Sequence, residues 1–196
     1  MNLLLYDASS TRHEFNEPLG LEAIMGYLQT YFPEVRTDLW MWGMDGVPEP
    51  EQLARYDVIG LSLPYHSVKL VRAIYPHLDF SRQLLVLGNS IATFGYAALL
   101  EEFPRAVCSL GEGEGTFEDL VRVLEEGLAL EQVRNLAFRR GDRLIVTRRQ
   151  EVPGAKIPCP ARPKRVMDFL VQNRGTFRIE ASRGCDYGRC SFCYLR

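Results

Sequence analysis

The stretch that decides the fold is Asp57-Val58-Ile59-Gly60-Leu61-Ser62-Leu63, together with residues 68–77, which follow it after a short loop. The first segment is a short apolar run, which is typical of a strand covered on both faces of a parallel sheet. In the second segment, Val68, Val71 and Ile74 recur at helical spacing and predict an amphipathic helix. A strand followed by such a helix is the repeating unit of an α/β sheet.

The same alternation continues on both sides of this unit. Further strands are predicted at residues 2–6, 35–39, 84–87 and 106–110, and further helices at residues 19–32, 92–103 and 116–126. We therefore predict an α/β fold with a Rossmann-like, doubly wound and mainly parallel sheet of five strands. The ligand crevice of such a sheet lies at the carboxyl ends of its strands.

The pattern changes after Gly127. Residues 135–139 and 143–147 predict a small hairpin appended to the sheet, and the four prolines within residues 152–163 predict an extended linker. A short amphipathic segment at residues 166–170 leads to an alternating segment at 177–181, which predicts a strand. The expected organisation is a sheet domain over residues 1–130, a hairpin and linker over 131–170, and the start of another domain over 171–196.

Composition and charge exclude several classes of protein. The 196 residues are 46% hydrophobic and 24% charged, and the formal net charge of -2 gives no electrostatic reason to expect a nucleic-acid partner. The apolar runs are strand-sized, so no membrane partner is expected. The cysteine count of five is odd, no signal peptide is visible, and the N-terminus runs directly into a strand, which together favour a cytoplasmic protein.

Three cysteines, Cys185, Cys190 and Cys193, form a closely spaced loop that predicts a metal centre. Three thiolates without a fourth partner in the loop suit a [4Fe-4S] cluster with one open iron, whereas structural zinc sites have four closed ligands. A zinc site completed by Cys159 and a disulfide are the alternatives. Cys108, within an apolar strand, is expected to be a buried small hydrophobe.

Two glycine-containing turns follow the fourth and fifth predicted strands. They are Gly88-Asn89-Ser90 and Gly111-Glu112-Gly113-Glu114. Glycines at strand ends let the backbone approach a bulky ligand closely, although a plain tight turn or helix cap explains either turn by itself.

The cysteine loop resembles that of the radical S-adenosylmethionine (SAM) superfamily, in which a Cys-x-x-x-Cys-x-aromatic-Cys loop follows the first strand of a β/α barrel. Cys190, Phe192 and Cys193 match this pattern, whereas four residues separate Cys185 from Cys190 where the family usually has three. The resemblance implies that residues 177–181 are the first barrel strand. It also implies that the cluster binds SAM through its open iron.

The whole chain is similar to the N-terminal portion of cobalamin-dependent radical SAM enzymes. The resembling stretches lie at residues 17–21, 57–62, 86–93, 110–117 and 182–185, in the family's order, with Asn89 where the family commonly has a second glycine. The resemblance implies a corrin face over Ser62, Leu63, Pro64, Tyr65 and His66, and a pocket for the nucleotide tail bordered by Gly88, Asn89, Ser90, Gly111, Glu112 and Gly113, with Ser9 and Ser10 as weaker candidates.

The state of the cobalt is a further expectation. The Asp-x-His-x-x-Gly motif of cobalamin mutases and methionine synthase is absent, because the first strand leads into Asp7-Ala8-Ser9. We therefore predict base-off cobalamin bound without that histidine. His66 is a candidate lower ligand, with a solvated loop histidine as the competing interpretation and Tyr65 as an equal candidate for the residue nearest the metal. The apolar residues 39–44 are expected to be core, with a docking face as the alternative.

The resemblance implies a methyltransferase in which a 5′-deoxyadenosyl radical activates an unactivated carbon and methylcobalamin methylates it. A small-molecule or peptide substrate and an external electron donor are the implied partners, and no catalytic side chain is assigned in this chain. The alternatives are a cyclase or ring-rearranging enzyme, a methylthiotransferase, a non-catalytic cobalamin-binding or metal-binding module, and a flavodoxin-like nucleotide-binding domain. Because the barrel is expected to lie beyond Cys193, this chain alone is expected to be inactive.

Overall fold

A single sheet organises the computed structural model, which describes residues 1–9, 15–64, 67–185 and 187–191. Its strands are β1 (Asn2–Asp7), β2 (Arg36–Met41), β3 (Val58–Ser62), β4 (Leu84–Gly88), β5 (Val107–Ser109), β6 (Leu136–Arg140) and β7 (Arg143–Val146). Within the described residues the sheet has seven strands in the order β2-β1-β3-β4-β5-β6-β7, with β1 to β5 parallel. The predicted α/β, doubly wound class is confirmed, but the prediction of five strands is wrong.

The two additional strands come from the predicted hairpin. β6 pairs antiparallel with β5, and β7 pairs antiparallel with β6, so the hairpin continues the sheet instead of standing apart from it. Leu136, Ala137 and Phe138 are buried, which explains the pairing because an apolar strand gains more from extending a covered sheet than from a solvated hairpin.

Helices cover both faces of the sheet. They are α1 (Leu19–Tyr31), α2 (Trp42–Asp45), α3 (Pro50–Leu53), α4 (Val68–Ile74), α5 (Asn89–Glu102), α6 (Gly113–Glu126) and α7 (Lys164–Gln172). Alternate residues of β1 divide between two apolar cores: Leu3 and Leu5 pack with α1, α6 and α7, and Leu4 and Tyr6 pack with α4 and α5. The described helices include none long and apolar enough to cross a bilayer.

β1 is the point at which the strand order reverses. It pairs with β2 on one side and β3 on the other, so the sheet extends from β1 in both directions. In doubly wound sheets the crevice for ligands opens at such a point, at the carboxyl ends of the strands. The fold therefore places a cleft beyond Asp7 and Ser62.

The predicted linker packs against α1. The backbone N–H of Ala161 donates to the carbonyl oxygen of Glu22 at 2.9 Å. A Cβ added at Gly26 would lie 2.5 Å from the carbonyl oxygen of Cys159, so a glycine in α1 is what lets the two backbones approach. The linker is thus fixed to the sheet domain along its second half.

The predicted strand at residues 177–181 does not form in this chain. Within the described residues, the segment after α7 has a single isolated bridge, between Asn16 and Thr176. Ile179 is 92% exposed, and Phe177 is also exposed. A strand requires a partner for its backbone N–H and C=O groups, and no neighbouring strand of the described chain supplies one here.

The apolar residues at the end of β2 pack mostly inward. Met41 is buried, and Trp40 and Trp42 are partly buried against the core that contains Tyr6. The rings of Tyr6 and Trp40 meet edge to face with centroids 6.5 Å apart. These contacts support the core interpretation of this segment.

Candidate functional site

A cleft of about 800 Å³ opens at the carboxyl ends of β1, β3, β4 and β5. This is where the sequence places the ligand crevice, and the volume is in the range of small-molecule and cofactor sites. Among the described residues, eight predicted contacts line it: Ser9, Ser62, Pro64, Gly88, Asn89, Gly111, Glu112 and Gly113. The topology therefore brings together residues that are up to 104 positions apart, from Ser9 to Gly113.

The other predicted contacts have different places. Leu63 is fully buried in the core that packs with α4 and α5, and it does not line the cleft. Ser90 lies in the first turn of α5, half-buried and outside the cleft lining. Ser10, Tyr65 and His66 lie outside the described residues, as does Cys193.

The turn between β4 and α5 is built around Asn89. Its φ of 74° is in the left-handed region, which asparagine tolerates better than most residues. The side-chain Nδ2 donates to Ser62 Oγ at 3.0 Å, and Oδ1 accepts the N–H of Ser90 at 2.6 Å. Asn89 thus adopts the backbone conformation that a glycine would allow and also ties the end of β4 to the end of β3.

The turn between β5 and α6 presses against α1. Gly111 has a φ of 84°, and its N–H donates to Thr93 Oγ1 at 2.9 Å. A Cβ at Gly113 would lie 2.4 Å from Ile24 Cδ1, so the first turn of α6 contacts α1 directly. Glycines at these positions permit the close packing that forms this wall of the cleft.

The opposite wall is formed by the segment after α7. Arg178, Glu180 and Ser182 line the cleft, whereas Phe177 and Ile179, which alternate with them, do not line it and are exposed. The alternation that predicted a strand therefore divides this extended segment into a polar side facing the cleft and an apolar side facing away. This polar side was missed from sequence, although the period of two already separated its residues.

The cleft is acidic. Among the described residues, Asp7, Glu17, Glu112, Glu114 and Glu180 line it, against the guanidinium groups of Arg178 and Arg183. Burial raises the pKa of Asp7, although Ser9 Oγ donates a hydrogen bond to its carboxylate. Burial likewise raises the pKa of Glu112. Asp7 and Glu114 were not singled out from sequence; the available signal was their position directly after a parallel strand and within the glycine-rich turn.

Glu17 anchors the linker and the cleft wall to the start of α1. Its fully buried carboxylate accepts hydrogen bonds from Arg162 Nε, at 2.6 Å, and from the backbone N–H of Arg178. Burial alone would raise the pKa of Glu17, but these hydrogen bonds outweigh it and hold the pKa below its ordinary value. An ionised Glu17 therefore joins three segments of the chain.

Glu22, in the first turn of α1, is the uncharged partner of Glu17. It is fully buried, and burial and the Glu17 carboxylate raise its pKa to about 8. Neither carboxyl oxygen of Glu22 accepts a hydrogen bond, which fits a protonated carboxyl that donates to Glu17. The pair shares one proton at neutral pH because two adjacent buried carboxylates cannot both ionise.

The cysteine loop begins at the rim of this cleft. Cys185 is exposed and Cys190 partly exposed, and neither is in a disulfide. The backbone N–H groups of Gly188 and Tyr187 donate to the Cys185 sulfur and lower the pKa of the thiol. Within the described residues, which do not include Cys193, no three His, Cys, Asp or Glu side chains are grouped as a metal site.

Known proteins resemble this chain in sequence. No protein-family model matches it. The chain is 29% identical over 143 residues to 4'-phospho-dehydrooxetanocin synthase of Priestia megaterium, an alignment that covers 70% of this chain and 19% of that protein. It is 31% identical over 86 residues to a Methanocaldococcus jannaschii protein designated a methylthiotransferase, covering 44% of this chain and 17% of that protein. The chain thus spans about a fifth of these relatives.

Solved structures share the fold. The cobalamin-dependent SAM radical enzyme OxsB, solved with aqua-cobalamin and SAM, superposes with a TM-score of 0.84 at 22% identity, over 98% of this chain and 28% of OxsB. The radical SAM methyltransferase TsrM of Kitasatospora setae, solved with cobalamin and a [4Fe-4S] cluster, gives a TM-score of 0.61 at 17% identity, over 83% of this chain and 31% of TsrM. In fold, the resemblance to cobalamin-dependent radical SAM enzymes is confirmed.

Proposed function

We propose that this chain is the cobalamin-binding portion and cluster loop of a cobalamin-dependent radical SAM methyltransferase that methylates an unactivated carbon of a small-molecule or peptide substrate. The observation that carries the proposal is the cleft. One wall consists of the glycine turns after β4 and β5, and the other leads within a few residues into the cysteine loop. Residues 1–130 would hold cobalamin, residues 131–170 would form the hairpin and linker, and residues 171–196 would be the first part of the barrel.

The cleft lining fits cobalamin better than a nucleotide. Five carboxylates against two guanidinium groups disfavour the doubly charged terminal phosphate of a flavodoxin-like nucleotide more than the singly charged phosphodiester in the cobalamin tail. The rim of a corrin ring carries amide groups instead, and their N–H groups donate to carboxylate and carbonyl oxygens. Gly88, Gly111 and Gly113 leave backbone accessible to a ligand of this size.

The thiolates of Cys185, Cys190 and Cys193 would hold the [4Fe-4S] cluster. Together, the bound cluster and cobalamin would supply radical formation from SAM and methyl transfer to carbon. The residues of this chain would bind and orient these groups. The amides of Gly188 and Tyr187 favour the thiolate form of Cys185, which is the form that binds iron.

The proposal includes base-off cobalamin. Asp7, the last residue of β1, is followed by Ala8 and Ser9 where the histidine-containing motif would lie, and Ser9 Oγ donates a hydrogen bond to the Asp7 carboxylate. Anaerobic titration of the chain with cob(II)alamin, followed by electron paramagnetic resonance, tests this. We expect saturable binding and a base-off spectrum. Nitrogen coupling from a protein imidazole would instead indicate a histidine ligand, and a folded chain that binds no cobalamin would refute the proposal.

A matched pair of variants locates the binding site. Gly20 lines the cleft and Gly154 lies in the linker, and neither has a heavy atom within 4 Å of an added Cβ. Gly20→Trp should therefore fill the cleft without disturbing the fold and weaken cob(II)alamin binding at least about tenfold. Gly154→Trp should leave the affinity unchanged. Equal effects of the two variants would mean that cobalamin binds elsewhere.

A cyclase or ring-rearranging enzyme is the second candidate. The 29% identical relative is named a synthase and not a methyltransferase, and this favours the alternative. Mass spectrometry of the products formed by a protein that joins this chain to a radical SAM barrel would separate the two, since methylation adds a methyl group to the substrate and ring rearrangement does not. A methylthiotransferase fits less well, because only Cys108 and Cys159 lie outside the loop and Cys108 is buried.

A further inference from the structure

The start of the cysteine loop is held to the rim of the cleft by one arginine. Arg183 Nη1 lies 2.8 Å from Glu114 Oε1 and 3.3 Å from Glu112 Oε2, and Arg183 Nε lies 2.8 Å from Glu180 Oε2. The Arg183 side chain is 22% exposed and that of Glu114 is 3% exposed. Such half-buried, multiply bonded ion pairs hold their geometry better than exposed ones.

The three carboxylates belong to opposite walls of the cleft. Glu112 and Glu114 lie in the turn that begins α6, whereas Glu180 lies in the segment after α7. Arg183 therefore bridges the two walls at their common rim. Its guanidinium has the planar set of donors that this arrangement requires, which a lysine ammonium lacks.

The cluster ligand follows Arg183 closely. Cys185 is two residues further along the chain, a span of at most about 7 Å. Gly184, between them, has a φ of 77°, which turns the chain sharply at the point where it leaves the bridge. The turn at Glu112 and Glu114 is thus connected to Cys185 by a single side chain and one glycine.

We propose that Arg183 is a positioning residue that couples occupancy of the cleft to the conformation of the cysteine loop. This rests on the proposed function, because the cleft occupant is taken to be cobalamin. A ligand against the turn at Gly111 to Glu114 fixes Glu112 and Glu114, these fix Arg183, and Arg183 fixes the backbone that carries Cys185. Ordering one site in this way lowers the conformational cost of ordering the other.

Amide hydrogen exchange of the cluster-free 196-residue chain, with and without hydroxocobalamin, tests the coupling. In the wild type, hydroxocobalamin should slow exchange about fivefold or more both in the turn at residues 111–114 and in the loop at residues 184–191. The reporting amides include Tyr187 and Gly188, which donate to the Cys185 sulfur. In Arg183→Gln the turn should still respond and the loop should not.

Two further variants separate coupling from simple structural support. Arg183→Lys keeps the charge without the planar donors and should restore only part of the loop response. Arg189→Gln removes an exposed arginine from the same loop and should leave the full response. If Arg183 only supported the loop structurally, the loop amides of Arg183→Gln would exchange faster both with and without hydroxocobalamin. Hydroxocobalamin would then still slow their exchange by the same factor as in the wild type.

The outcomes distinguish this inference from the proposed function. If the wild-type chain binds hydroxocobalamin and the loop does not respond, or if Arg183→Gln responds as the wild type does, the coupling is refuted and cobalamin binding stands. If the wild-type chain binds no hydroxocobalamin, the proposed function and the coupling fall together. Circular dichroism of each variant confirms that it is folded.

Discussion

Replacing Glu22 by glutamine should abolish one specific part of the pH dependence of stability. The pKa of this buried carboxyl is raised from 4.5 to about 8, so the folded chain keeps a proton that the unfolded chain releases above pH 4.5. The stabilisation that protonated Glu22 contributes is therefore fully present below pH 4.5 and is lost as the pH rises towards about 8. The side chain of Glu22→Gln is uncharged and still donates to Glu17, as the protonated carboxyl does.

The magnitude follows from proton linkage. While the folded state holds one more proton than the unfolded state, the free energy of unfolding falls by about 1.4 kcal/mol per pH unit. Between about pH 5.5 and 7.5 this gives a loss of ~3 kcal/mol from Glu22 alone. The pKa of Glu17 is lowered, so Glu17 titrates below this window and does not oppose the loss.

Urea unfolding at several pH values measures the effect. The free energy of unfolding of Glu22→Gln should increase by ~3 kcal/mol relative to that of the wild type as the pH rises from about 5.5 to 7.5. Glu125→Gln, on the exposed side of α6, is the control and should follow the wild-type profile. A difference between wild type and Glu22→Gln that stays constant across this range would refute the assignment of a protonated Glu22.

Three further predictions concern packing and thiol reactivity. Gly26→Ala should displace the linker backbone and increase its cleavage by limited proteolysis, because the added Cβ would lie 2.5 Å from a linker carbonyl oxygen; Gly20→Ala, with nothing within 4 Å, should not. Gly60→Ala should destabilise the chain by about 1–3 kcal/mol in urea unfolding, because its Cβ would lie 2.8 Å from an aromatic ring of α6. Iodoacetamide at about pH 8 should alkylate Cys185 in the folded chain but reach Cys108 only after unfolding, because Cys108 is buried and burial raises its pKa to about 12. Equal rates at the two thiols would contradict the buried position.

The sequence carried the local features because they depend on near neighbours. Apolar runs alternating with helical spacing predicted the parallel strands, and the glycine turns after β4 and β5 marked the edge of the sheet where the cleft opens. The spacing of Cys185 and Cys190 also belongs to the sequence alone. Each of these follows from periodicity, turn chemistry or ligand reach over a few residues.

Only the tertiary structure decided which distant groups meet. The pairing of β6 with β5 enlarged the sheet, and among the described residues no strand pairs with the segment that carries the exposed Ile179. No individual role was assigned to Glu17 or Arg183 from the sequence, yet burial and long-range ion pairs make one an anchor and the other a bridge between the cleft walls. Pairing, burial and charge balance depend on residues far apart in the chain, and a local pattern does not contain them.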